Sequence, residues 1–191
     1  MAQSDEELPE LLATDLDRHF KQLVLAYQHR LYAFALRQVG SSQDAEDIVQ
    51  EAFIRAYYAL GDYPVERVQA LKLQPWLFKI TLNVFYSRLR TARLAQVPLD
   101  MSEESMHLEI ENDRREQPEV VLEDRERILE LESLVCMLPQ QYREAINLFY
   151  FEDLSYLEIA KLLNRPIGTV KSSLHRGTRL LRKTLETQKS K

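Results

Sequence analysis

A lone cysteine, Cys136, excludes an internal disulfide, and its place in the run Leu134-Val135-Cys136-Met137-Leu138 reads as a small buried hydrophobe rather than a metal ligand or reactive thiol. The four histidines, His19, His29, His107 and His175, are far apart and share no metal-ligand spacing with it. With four glycines in 191 residues there is no glycine-rich loop of the kind that grips phosphate. No stretch approaches the roughly 18 apolar residues that would span a bilayer, and the opening Met1-Ala2-Gln3-Ser4-Asp5-Glu6-Glu7 is acidic, without the apolar core of a signal peptide. The expectation is a cytoplasmic protein with no membrane span, no metal, no cofactor and no catalytic site of its own.

What is abundant points to helices. Leu, Glu, Gln, Ala and Arg recur throughout, and 45% hydrophobic with 29% charged residues is the balance of a folded soluble chain. The length suits one medium domain or two small ones, the latter only if their faces are strongly apolar. The net charge of −5 conceals a division along the chain. Residues 67–93 carry six basic side chains (Arg67, Lys72, Lys79, Arg88, Arg90, Arg93) and no acidic one. Residues 161–191 carry nine against Glu186 alone, a local net of +8, whereas residues 100–124 carry ten acids against Arg114 and Arg115, a local net of −8. A polyanion is attracted to local patches, so the segments matter more than the sum.

The pattern predicts an all-α protein: two small helical domains, at about 15–93 and 125–185, joined by an acidic linker at 94–124. In the first, Phe20, Leu23, Val24, Tyr27, Leu31 and Phe34 fall on one helical face that continues to about Val39. Gly40-Ser41-Ser42 ends that helix, and Ser41 with Asp44 has capping-box spacing for the next. There Val49, Phe53, Ala56 and Leu60 form the apolar stripe behind an acidic opening, Asp44, Glu46, Asp47 and Glu51, which serves either as capping or as a partner surface. Gly61-Asp62-Tyr63-Pro64 breaks the helix, a loop of about a dozen residues follows, and Pro75 suits the first position of a third helix reaching about Arg93. Trp76, Phe78, Phe85 and Tyr86 make that helix either an aromatic core element with a solvated cationic face or a surface on which bases stack.

Pro98 and Pro118 bracket the linker, a flexible tether or a segment containing short helices. Beyond it, Ile128, Leu131, Leu134, Val135 and Leu138 give one apolar face, and Ala145, Ile146, Leu148 and Phe149 another. The strongest local signal lies between Leu154 and Arg176. Ser155 and Glu158 have capping-box spacing, Asn164-Arg165-Pro166 ends the helix they start, and a second helix begins near Ile167 to Thr169. Val170, Leu174, Thr178 or neighbouring Gly177, Leu181 and Leu185 take its inward spacing, and Gly177 stands for either close packing or a slight bend. The layout is either a helix-turn-helix or a corner that only stabilises the fold, and the +8 segment favours DNA binding. Second helices of such motifs enter the major groove N-terminus first. Thr169, Lys171, Ser172 and Ser173 are then the candidates for base edges, and Arg176 and Arg179 for phosphates.

The chain resembles the extracytoplasmic-function group of the bacterial sigma-70 family over about residues 15–93 and 125–185. Asp44-Ala45-Glu46-Asp47-Ile48-Val49-Gln50-Glu51-Ala52-Phe53 and Pro75-Trp76-Leu77-Phe78-Lys79-Ile80-Thr81-Leu82-Asn83 resemble the promoter-melting and core-polymerase-binding domain. Leu138-Pro139-Gln140-Gln141-Tyr142-Arg143-Glu144-Ala145, Tyr156-Leu157-Glu158-Ile159-Ala160 and Gly168-Thr169-Val170-Lys171-Ser172 resemble the domain that recognises the upstream promoter element. The resemblance implies an alternative sigma factor that binds RNA polymerase core and promoter DNA, is held by an anti-sigma factor, and is monomeric outside its complexes. It makes Asp47, Gln50 and Glu51 the core-polymerase contacts. The loop 61–74 and the helix after it would capture an unpaired downstream-element base and support strand opening, with Lys79, Asn83 and Arg90 as the contacts. Ser87, Ser173 and Gly177 stand where the family usually has aspartate, arginine and alanine, departures that bear on promoter preference rather than on membership.

Overall fold

The repeat Leu23, Tyr27, Leu31, Phe34 becomes the buried face of a long helix, α2 (Leu16–Val39), with all four residues essentially inaccessible. A computed structural model describes the backbone of residues 3–95 and 131–189. These residues form α-helices, one π-helical turn and connecting turns, and among them there is no strand. They separate into two units, residues 3–35 with 43–95 and residues 36–42 with 131–189. Apart from residues 94 and 95, the acidic stretch 94–124 lies outside the described residues, as do the first residues expected of the second unit. No described helix is long and apolar enough to cross a membrane.

In the first unit, α1 (Gln3–Thr14) precedes the expected start at residue 15 and lies against α4 (Val65–Gln69). Leu8, Leu11 and Leu12 are the large apolar residues between Met1 and Thr14; their spacing is helical but covers only about one turn, and Pro9 falls inside it, so the segment is too short for a period to mark a helix. Gly40, with φ of 76°, closes α2 in the left-handed conformation that glycine adopts without strain, its N–H donating to the Leu36 carbonyl at 2.7 Å. α3 (Ser42–Asp62) buries Ile48, Ala52, Ala56 and Leu60 and runs through Gly61, ending two residues before Pro64 rather than at the glycine. α5 (Leu73–Ala95) begins two residues before Pro75, which costs no hydrogen bond because the first four amides of a helix lack an internal partner. Leu77, Phe78, Leu82 and Val84 are buried on α5, and the Phe78 ring meets Phe34 edge-on at 4.9 Å.

The second unit contains α6 (residues 131–136), α7 (Gln140–Ile146), a π-helical turn (Asn147–Phe151), α8 (Tyr156–Leu163) and α9 (Ile167–Lys189). Arg37 is buried there, donating to Asn147 Oδ1 at 2.6 Å, Glu132 at 2.8 Å and Glu152 at 2.9 Å. Burial pushes the Cys136 thiol up, disfavouring the reactive thiolate, and pushes the Arg143 guanidinium down. The expected capping box is formed: the Glu158 amide donates to Ser155 Oγ at 3.3 Å and the Ser155 amide to Glu158 Oε2 at 3.1 Å. Asn164, at φ 52° and ψ 49°, turns the chain out of α8, and the Arg165 N–H donates to the Ala160 carbonyl at 3.0 Å.

The use of Gly177 is close packing. A Cβ there would lie 3.0 Å from Ile146 Cγ1 and 3.2 Å from Tyr142 Cβ, so the missing side chain is what lets α9 lie on α7. Gly177→Ala should change stability by less than about 1 kcal/mol, because the gain in helix propensity offsets the shift of Ile146 and Tyr142 by a few tenths of an ångström. Gly177→Val adds branches for which there is no room and should cost about 2 kcal/mol, measured by urea unfolding.

Candidate nucleic-acid interface

Pro166 and the left-handed Asn164 separate α8 from α9, and α9 packs on α8 and α7 through Val170, Leu174 and Leu181, all buried. That leaves Thr169, Lys171, Ser172, Arg176 and Arg179 exposed on the outer side. Ser172 Oγ donates to the Thr169 carbonyl at 2.9 Å, which leaves its oxygen lone pairs to accept from a base or amide. The Lys171 ammonium stands 5.6 Å above the Tyr156 ring, itself stacked at 4.9 Å and 13° on Phe149. This cation–aromatic stack places α9 charge beside the start of α8. In the sequence Tyr156 is only part of a motif; its pairing with Lys171 has no signal in local spacing.

Ser173 requires a correction. The helical spacing puts it outside the core with Lys171 and Ser172, but it is only 5% exposed. Three residues after Val170 and four before Gly177, it shares their inward stripe. An arginine at this position has a stem long enough to carry its charge out to solvent; serine does not. Arg165, one of the nine cations of residues 161–191, is held by an acid. Its Nη2 donates at 2.9 Å to Glu144 Oε2, on a fully buried carboxylate that also accepts from Gln140 Nε2 at 2.8 Å. Farther along α9, Arg176, Arg179, Arg182 and Lys183 flank an open groove of about 630 Å³ beside Tyr142.

In the first unit, Lys79, Asn83 and Arg90 are four and seven residues apart on α5, which brings them to one face. Asn83 and Arg90 are exposed and Lys79 is half-buried. The four aromatic residues of α5 divide: Phe78 and Phe85 are core, while Trp76 and Tyr86 are half-buried and keep an accessible edge. At the head of the helix the Trp76 ring lies 6.2 Å from that of Tyr63, and the Arg67 guanidinium sits 3.6 Å over the other ring of the pair, Tyr63. The expected loop 61–74 therefore contains a short helix and a cation–aromatic stack.

On α3, Asp47 and Gln50 are exposed and Glu51 is half-buried. Arg88 of α5 reaches across to both acids, 3.2 Å from Asp47 and 3.4 Å from Glu51, and Arg55 also bonds Glu51. The acidic opening is thus more than helix capping, and one of the six cations between residues 67 and 93 belongs to it. Such partly exposed pairs contribute little to stability, but they hold the two carboxylates in place. Gln50 borders an apolar groove of about 410 Å³ lined by Phe20, Val24, Phe53, Ile54, Tyr57 and Tyr58. The Tyr57 hydroxyl donates to Asp17, a bond and a negative charge that together raise its pKa.

Comparison with known proteins matches residues 23–94 to the family model of Sigma-70 region 2 and residues 128–181 to that of Sigma-70 region 4. The chain is 35% identical over 174 residues to the ECF RNA polymerase sigma factor SigW of Bacillus subtilis, covering 87% of this chain and 88% of that one. It is 31% identical over 188 residues to the RNA polymerase sigma-H factor of Pseudomonas aeruginosa, covering 96% and 95%. Among solved structures it is similar to the sigma factor RpoE in complex with the anti-sigma factor NepR from Bartonella quintana, with a TM-score of 0.68, 28% identity and coverage of 87% of this chain and 96% of that one. It is also similar to CnrH in complex with the cytosolic domain of CnrY, with a TM-score of 0.64, 25% identity and coverage of 96% and 97%. Two matched regions in this order, over nearly the whole length of such relatives, show the family: the chain belongs to the sigma-70 family, in its extracytoplasmic-function group.

Proposed function

We propose that this chain is an alternative sigma factor that binds RNA polymerase core and directs it to specific promoters. The observation that carries the reading is the exposed N-terminal face of α9 behind a capped α8, in the same chain as a unit whose α3 is acidic and whose α5 is basic. In this reading the region at 125–185 recognises the duplex upstream element. Thr169, Lys171 and Ser172 approach base edges, and Arg176 and Arg179 hold phosphates. The region at 15–93 takes the downstream element through Lys79, Asn83 and Arg90 as bases leave the stack, which offsets part of a cost of a few kcal/mol per disrupted step. Asp47, Gln50 and Glu51 meet the polymerase. Bond formation in RNA belongs to the polymerase, so the chain itself acts by binding rather than by catalysis, in the cytoplasm and as a monomer outside its complexes. An anti-sigma protein is the expected inhibitor, in keeping with the similar sigma factor RpoE, solved in complex with the anti-sigma factor NepR.

The test is reconstitution. Purified chain added to RNA polymerase core should form a stable complex and start transcripts from a defined subset of genomic promoter fragments. Replacing Asp47 and Gln50 together by alanine should weaken core association about ten-fold, or roughly 1.4 kcal/mol. Failure of the unmodified chain to bind core at low salt would sink the proposal.

A further inference from the structure

The expected downstream-element loop is built around a helix that cannot stand alone. α4 has five residues, far below the length at which an isolated helix holds, and Pro64 offers its N-terminus no side-chain cap. Its persistence depends on packing, and Val68, its buried residue, is 3% exposed. The element lying against it is α1, where Leu8 and Leu12, one turn apart on one face, are 4% and 3% exposed. α1 is itself anchored at its far end. The Asp15 N–H donates to the Leu11 carbonyl at 3.0 Å, and the Asp15 carboxylate accepts from the Arg18 amide at 3.1 Å, so a single residue joins α1 to α2. Leu16 lies at Gly61, its Cδ2 within 3.8 Å of where a Cβ would be, so this corner sits where α3 gives way to the loop.

We infer that α1 is a positioning element for promoter opening: through Leu8 and Leu12 it holds α4 so that the Arg67–Tyr63–Trp76 stack stands ready at the head of α5. The inference rests on the reading of loop 61–74 and α5 as the downstream-element surface. A loop ordered before the DNA arrives loses no further chain entropy on binding, so the energy of capturing an unpaired base goes into strand opening. If α1 is undocked, α4 loses the helix it lies against, and the stack loses its frame while α9 and the acidic edge of α3 are untouched.

The test compares holoenzyme carrying the full-length chain with the Leu8→Ala/Leu12→Ala variant on a promoter fragment that the unmodified holoenzyme opens. Permanganate reactivity of unpaired thymines should fall on the order of ten-fold or more, while core affinity and the upstream footprint stay unchanged. Trp76, the sole tryptophan, should shift its emission to the red in the variant chain. The Leu8→Met/Leu12→Met variant, which keeps apolar bulk, should restore both signals. Equal losses of core affinity and opening would reduce α1 to a general stabiliser and overturn the inference. A Lys79→Ala/Asn83→Ala holoenzyme separates the two levels. If it loses opening and the leucine variant does not, the inference about α1 fails; if it opens normally, the downstream-element reading fails, and the inference falls with it.

Discussion

Replacing Arg165 with alanine is expected to destabilise the second unit by about 3 kcal/mol, the lower end for removing one partner of a buried ion pair because Arg165 itself keeps 29% of its side chain exposed. The cost arises on the other side of the pair. Glu144 is fully buried in α7; in the variant Gln140 still donates to it and Arg143 still interacts with it electrostatically, but the guanidinium hydrogen-bonded to Oε2 is gone. For a carboxylate shut away from water, losing a hydrogen-bonded counter-charge is costly. Calorimetry should show a lowered transition for Arg165→Ala, and a decrease below about 1 kcal/mol would show that Glu144 does not depend on it. The double variant Glu144→Leu/Arg165→Leu should recover much of the loss, since two apolar groups of similar size need no counter-charge. Holding the turn between α8 and α9, Arg165 should affect promoter binding only through the fold.

Arg176→Ala with Arg179→Ala is expected to weaken binding of the holoenzyme to duplex promoter about a hundred-fold at low salt, taking each charged hydrogen bond to phosphate as worth roughly 1.5 kcal/mol. The more discriminating result is the salt dependence. Each phosphate no longer neutralised should reduce the slope of log K against log salt by about 0.9, so the pair should flatten it by about 1.8, with no change in which promoter is preferred. Lys171→Ala should instead weaken binding unevenly across promoter variants if its ammonium reaches a base edge, and evenly if it holds a phosphate. Ser173→Ala is the control on the same helix: its buried position predicts unchanged affinity and slope. An undiminished slope in the double arginine variant would remove both residues from the phosphate-binding set.

How much of the fold and of the interface is legible in the sequence follows from the range of each interaction. The helix-turn-helix is readable because its parts are local: Ser155 caps a helix through Glu158, three residues on, and Val170, Leu174 and Leu181 follow the helical period. Lys79, Asn83 and Arg90 share a face for the same reason. α1 escapes a reading of the sequence because its few apolar residues gain meaning only against α4, some fifty residues away. Arg88 and Arg165 count as cations available to DNA when charge is summed along a segment, since such a sum takes no account of a carboxylate brought in by another helix.

By itself the sequence determined an all-helical chain, the periodic faces of its helices, the turn from α8 into α9 and membership in its family, because each depends on neighbours within a few turns or on motifs in a set order. The tertiary structure decided which small and charged residues are spent on packing. In the sequence Ser173 and Gly177 look like a change in what α9 reads; against Tyr142 and Ile146 of α7, Gly177 is the space that lets two helices touch, and Ser173 lies on the same inward face. Small side chains carry no hydrophobic period, and whether one faces a base or a neighbouring helix depends on what the fold places opposite it.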